Sequence, residues 1–143
     1  MAAQFQRGLA RRSANALVSS LLRLGLGPAR TYLLTVAGRR SGAPRTTPVT
    51  LVEEGGQRWL VAPYGEVAWV RNLRVAGKAT LSRGGQTDPI RVREIANDEA
   101  APVLKLYVMR VPITRPYFDA KPDSDLAAFR AEASQHPVFA IVG

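Results

Sequence analysis

The spacing of apolar and polar residues changes several times along the 143-residue chain, and each change marks an element. Phe5, Leu9, Ala16, Leu17, Leu21 and Leu24 recur at helical spacing, while Arg7, Arg11 and Arg12 fall mostly off that stripe. Residues 3 to 25 are therefore predicted to form an amphipathic helix, closed by Gly25 and Gly27, with Pro28 preventing its continuation. Thr31 to Ala37 and Thr46 to Glu53 are β-branched and aliphatic runs, predicted as adjacent strands. Glu54-Gly55-Gly56 supplies a tight turn into Gln57 to Ala62, which completes a second hairpin. A helix from about Glu66 to Val75, ending at Gly77, puts Trp69, Asn72 and Leu73 on one side. Lys78 to Arg83 and Gln86 to Ile95 form two more strands around Gly84-Gly85, and Pro89 makes the second an edge or bulges it. Asn97 and Asp98 can cap a helix reaching about Met109. The two prolines of Val111 to Phe118 exclude regular helix there and suggest a loop over a pocket. Ser124 to Ser134 reads as a short helix, and Val138 to Val142 as a closing strand.

Strands that arrive in consecutive pairs favour hairpins over crossover connections. The expectation is a mainly β (α+β) single domain over residues 1 to 143, a six-stranded antiparallel barrel with covering helices, and not a doubly wound parallel sheet. No repeat, low-complexity tract or linker divides the chain.

Charge adds a strong asymmetry. The first 52 residues hold eight arginines and no acidic residue, whereas the remainder has 12 basic and 11 acidic residues. A partner drawn to the first third is acidic. The chain has no cysteine, which removes disulfides, thiolate metal sites and a thiol nucleophile, and suits a reducing cytoplasm. One histidine, His136, excludes a multi-histidine metal site, so no metal is expected; its place before Pro137 suggests a loop or helix-end role. No run approaches the roughly 20 apolar residues of a spanning helix. Arg23 interrupts the N-terminal apolar stretch and no A-x-A-like site follows it, so this segment is read as part of the mature domain. The N-terminal helix can pack on the domain or lie on an anionic membrane surface as a peripheral contact.

The arginines concentrate in Gly38-Arg39-Arg40-Ser41-Gly42-Ala43-Pro44-Arg45-Thr46-Thr47-Pro48, between the first two strands. Its backbone N–H groups can form a concave nest, and its guanidinium forks can bind phosphate or carboxylate oxygens in pairs. Solvated hairpin arginines would be the plain alternative, but two glycines, Pro44 and three hydroxyls exceed what a hairpin needs. It is neither a Walker loop nor a G-x-G-x-x-G turn. Only three of the 20 cations are lysines and the aromatics do not interleave with them, which argues against a nucleic-acid platform.

The run Thr31 to Pro48, with Ala62-Pro63-Tyr64-Gly65 and Trp69-Val70-Arg71-Asn72-Leu73, resembles the deazaflavin-dependent nitroreductase family of actinobacteria. The likeness covers about residues 30 to 95. It implies a split β-barrel related to flavin-mononucleotide-binding reductases. It also implies coenzyme F420, a deazaflavin with a phosphate and an oligoglutamate tail, giving hydride to an electron-poor small molecule such as an activated C=C or nitro compound. On this sequence Arg39, Arg40, Ser41, Gly42 and Arg45 would hold the phosphate and tail, and Thr46, Thr47 and Pro48 would line the ring. Ala62, Pro63, Tyr64, Gly65, Trp69, Val70, Arg71 and Asn72 would form the other wall. Pro63-Tyr64 stands where well-known members have Ser-Lys, and Val70-Arg71 where they have Tyr-His, which bears on the substrate more than on the coenzyme. Tyr107 and Tyr117 are the candidate proton donors. FMN in the same loop is the alternative cofactor, and a non-enzymatic binder of anionic ligands or membrane surfaces is the alternative role; the oligomeric state stays open.

Overall fold

The hairpins anticipated from the pattern pair with one another and then close. The computed structural model describes residues 18, 19, 21 to 25 and 30 to 143. Strands β1 (Thr31–Ala37), β2 (Pro44–Glu54), β3 (Gln57–Val61), β4 (Lys78–Arg83), β5 (Gln86–Glu94) and β6 (Val138–Ile141) form a closed antiparallel barrel in the order β1-β2-β3-β6-β5-β4. β2 pairs with β1 through Thr50 and with β3 from Leu51 onward. β5 likewise pairs with β4 through Arg91 and with β6 from Val92 onward. Two long strands therefore pass from one half-sheet into the other, which is the split-barrel arrangement. Pro89 faces Thr80 without a break in register, in the part of β5 that has only β4 beside it. The strand is an edge there and is not bulged.

Alternation along the strands sorts side chains onto two faces. Leu34, Val36, Val49, Leu51, Leu60, Leu81, Ile90 and Phe139 fill the barrel together with Val70 and Leu73 of helix α1 (Ala68–Ala76). Full burial of such a side chain contributes about 1.5–3 kcal/mol. Val52, Val61, Val138 and Ala140, on the outer face, pack against helix α2 (Asn97–Arg110) and Phe129 of helix α3 (Leu126–Glu132). α1 follows the Gly65 turn and ends in left-handed Gly77, whose N–H reaches Leu73 O at 2.8 Å.

Several predicted details change. α2 starts at Asn97 after Ala96, so Asn97 and Asp98 lie inside its first turn and no side chain caps it; Asp98 ion-pairs with Arg130 instead. The segment expected to be an irregular loop over a pocket is a 3₁₀ helix, Pro112–Tyr117, packed on the α2 core. Proline is tolerated at its start, where no N–H is needed. α3 begins at Leu126, two residues after the predicted start, because Asp125 accepts the Ala128 N–H at 3.0 Å as its cap. Most of the predicted 3–25 helix lies outside the described residues. Residues 18, 19 and 21 to 23 are helical, and Leu22 O accepts the Gly84 N–H at 2.8 Å. A Cβ on Gly84 would lie 3.0 Å from Gly25 Cα, so the two backbones meet where only glycines fit. Among the described residues no helix is long and apolar enough to cross a membrane.

Candidate functional site

The β1–β2 loop is built by its own short-range bonds. Gly38 N–H donates to Ala43 O and Gly42 N–H to Gly38 O, both at 2.8 Å, and Ser41 Oγ accepts the Ala43 N–H at 3.2 Å. Gly42 adopts φ +75, a region closed to most side chains. Inside this frame Arg39 turns toward α1. Its N–H and its Nη1 both donate to Asn72 Oδ1, at 3.0 and 2.9 Å. Asn72 is 3% exposed, and its Nδ2 has no hydrogen-bond acceptor among the described residues. Two segments 33 residues apart are thus joined through one carboxamide.

Arg40 and Arg45 remain exposed, as does Arg71 on α1. Every carboxylate side chain of the chain falls within the described residues. The ion pairs of Asp88, Glu66, Glu94, Glu99, Glu54 and Asp98 all go to Arg58, Arg74, Arg93, Arg110 and Arg130. Arg39, Arg40, Arg45 and Arg71 have no carboxylate within ion-pair distance among the described residues.

β2 does not present Thr46, Thr47 and Pro48 as one wall. Arg45 and Thr47 share the face of Val49 and Leu51, while Thr46 and Pro48 share the opposite face with Thr35, whose Oγ1 lies 2.9 Å from that of Thr46. On that opposite face lies a cavity of about 600 Å³, lined among others by Thr35, Gly42, Pro44, Lys78, Thr80 and Arg91. None of the residues 62 to 65 or 69 to 72 lines it. The arginine loop therefore stands between this groove and Asn72.

The 62–65 turn follows β3 and is held from beneath. Ala62 N–H donates to Pro137 O at 2.8 Å, and Pro63 O lies 2.9 Å from His136 Nδ1. Tyr64 meets Tyr117 edge-on, with ring centroids 4.7 Å apart. Trp69 is half-buried against Phe139 at 6.2 Å, and Val70 is fully buried in the barrel. The structure brings Tyr64 and Tyr117 together, and Arg39 with Asn72. Tyr107 is buried, and burial, with Tyr64 nearby, holds its phenol well above the usual range. His136 was missed as a partner of the turn, and Glu132 as the partner of His136; an acidic residue four positions before a lone histidine was the available signal.

Comparison with known proteins agrees with the barrel fold. The family model described as F420H(2)-dependent quinone reductase matches residues 9–125. No curated protein matches the chain significantly. Among solved structures, one described as an F420-H2 dependent reductase (FDR-A) is 26% identical, covers 80% of this chain and 95% of its own, and superposes with a TM-score of 0.55. A structure described as a domain-swapped dimer is 22% identical over 93% of this chain and 96% of its own, with a TM-score of 0.59. A NimC/NimA family protein from Clostridium acetobutylicum is 13% identical over 90% and 82%, with a TM-score of 0.53. These last two are similar in fold.

Proposed function

Since this chain belongs to the F420H(2)-dependent quinone reductase family, we propose that its arginine loop seats the anionic arm of that coenzyme beside Asn72 and that its acceptor is a small, planar, electron-poor molecule of the quinone type. The protein is an oxidoreductase using F420H(2). Activated alkenes and nitro compounds share the acceptor's electron deficiency and are the competing substrates to compare.

The residues present fit the group. Three exposed arginines have no carboxylate partner among the described residues, and a Cβ built on Gly42 would meet nothing within 4 Å, so anionic oxygens have both charge and room at the loop tip. The observation that carries the reading is Asn72. A buried amide nitrogen without a partner costs about 1–3 kcal/mol, and a bound polar ligand would remove that cost.

When bound, the reduced deazaflavin supplies a hydride. The chain's own tasks are binding, orientation and proton supply. Arg40, Arg45 and Arg71 neutralise the arm, while Arg39 acts chiefly as the strut that fixes Asn72. The half-buried rings of Trp69 and Tyr64 keep water from the ring edge. Tyr117, half-buried against Tyr64, is the better proton donor of the two tyrosines, because burial makes Tyr107 a weaker acid.

Titration of coenzyme fluorescence tests this. Arg45→Ala should weaken F420 binding by roughly 10- to 150-fold, the equivalent of about 1.5–3 kcal/mol for a charge-assisted contact. An unchanged affinity, or tighter binding of FMN than of F420 by the wild type, refutes the assignment.

A further inference from the structure

The single histidine of the chain is buried, and the reading above leaves it without a task. His136 and Glu132 are 3% and 5% exposed. His136 Nδ1 lies 2.9 Å from Pro63 O, a carbonyl that only accepts, so Nδ1 carries a proton. Nε2 lies 2.8 Å from Glu132 Oε1, and one proton sits between them. Oε1 also accepts the Asp119 N–H at 3.1 Å, and Oε2 accepts the Ala120 N–H at 2.7 Å. The imidazole stacks on Phe118 with centroids 3.9 Å apart. The outward bonds of the pair thus end on two backbone segments, the 62–65 turn and the stretch after the 3₁₀ helix.

Tyr64 lies in the first segment and Tyr117 ends the 3₁₀ helix just before the second, and their rings meet edge-on. Apolar packing alone would join two loops more cheaply than a buried ionisable pair, which must be desolvated and then fully bonded. What the pair adds is direction, since each polar atom accepts one geometry. We infer that Glu132 and His136 are positioning residues that set the height and separation of Tyr64 and Tyr117, and so the aromatic edge offered to coenzyme and acceptor. The inference rests on the reading of the 62–65 turn as a ligand wall.

Two substitutions divide the histidine's bonds. His136→Asn puts an amide nitrogen where Nδ1 stands and keeps the Pro63 link; His136→Gln puts one near Nε2 and keeps the Glu132 link. Amide hydrogen exchange at Ala62, Tyr64 and Gly65 in coenzyme-free protein, the F420 dissociation constant and the acceptor KM are measured on both. His136→Gln should speed exchange at the turn about tenfold beyond any global change, while His136→Asn keeps it within about threefold of wild type; both variants sever the bridge from the turn to Ala120 and should weaken F420 and acceptor about tenfold. Equal exchange at the turn in the two variants, following only their melting temperatures, overturns the inference. Faster exchange at the turn with unchanged F420 affinity and KM supports the positioning of the turn and overturns the wall's assignment to the ligand. Should neither variant fold, untagged wild type with nitrogen-15 histidine shows a single imidazole. Its ring signals move on adding F420, and ring signals that stay fixed at saturation overturn the inference.

Discussion

Replacing Asn72 with alanine removes the acceptor used by both the Arg39 N–H and its Nη1. The loss should lower stability by about 1–3 kcal/mol, read from denaturant unfolding, and should weaken F420 binding as well, because the loop loses its strut to α1. Equal stability would show that water replaces the carboxamide. The tyrosines make a second contrast. Tyr117→Phe should lower kcat about 100-fold if its hydroxyl supplies the proton, while Tyr107→Phe, at a fully buried site, leaves turnover nearly unchanged. Steady-state reduction of a quinone by F420H(2) separates the two outcomes.

At the level of elements, Arg74 ties α1 to its surroundings, bonding Glu94 through Nε and Nη2 and Glu66 through Nη1, each at 2.8 Å. The hydrogen bond and charge of Arg74 hold the Glu66 carboxyl below its ordinary range. A carboxyl depressed in the folded state stabilises the fold above its unfolded value, and that contribution disappears as pH falls through the depressed value. The melting temperature of wild type should therefore drop faster than that of Arg74→Ala between about pH 5 and pH 3. Strand positions were largely legible because period-two alternation and glycine turns carry local information, and β1, β4 and the Gly77 stop coincide with their predicted bounds. The Arg39–Asn72 contact was not legible: it joins residues 33 apart, and no local rule says which polar groups meet across a fold. The motif likeness placed both residues at one site without revealing that they bond each other. Thr47 was assigned to the same wall as Thr46 and Pro48, although strand alternation alone separates them. The Val111 to Phe118 segment was misjudged because proline excludes α-helix interiors and not 3₁₀ turns.

Across the whole molecule, exposed cations with no ion pair among the described residues collect around the arginine-loop end, where Arg40, Arg45 and Arg71 are joined by Lys78 and Arg91, which face each other in register. Like charges directly opposite are unfavourable on a sheet, so this end of the barrel is tuned to attract an anion. The F420 dissociation constant should rise several-fold between about 50 and 500 mM salt, and stopped-flow mixing should place much of that change in the association rate. A salt-insensitive association rate would contradict electrostatic steering.

β2 and β5 each serve two half-sheets, and this has a thermodynamic meaning. The two halves use successive residues of the same strands, so opening one half frees the ends of strands that the other half pairs and couples their melting. The barrel behaves as a single cooperative unit, in which a weakness introduced far from the loop is felt at the loop, and in which the arginine-loop end gains its rigidity from the opposite one.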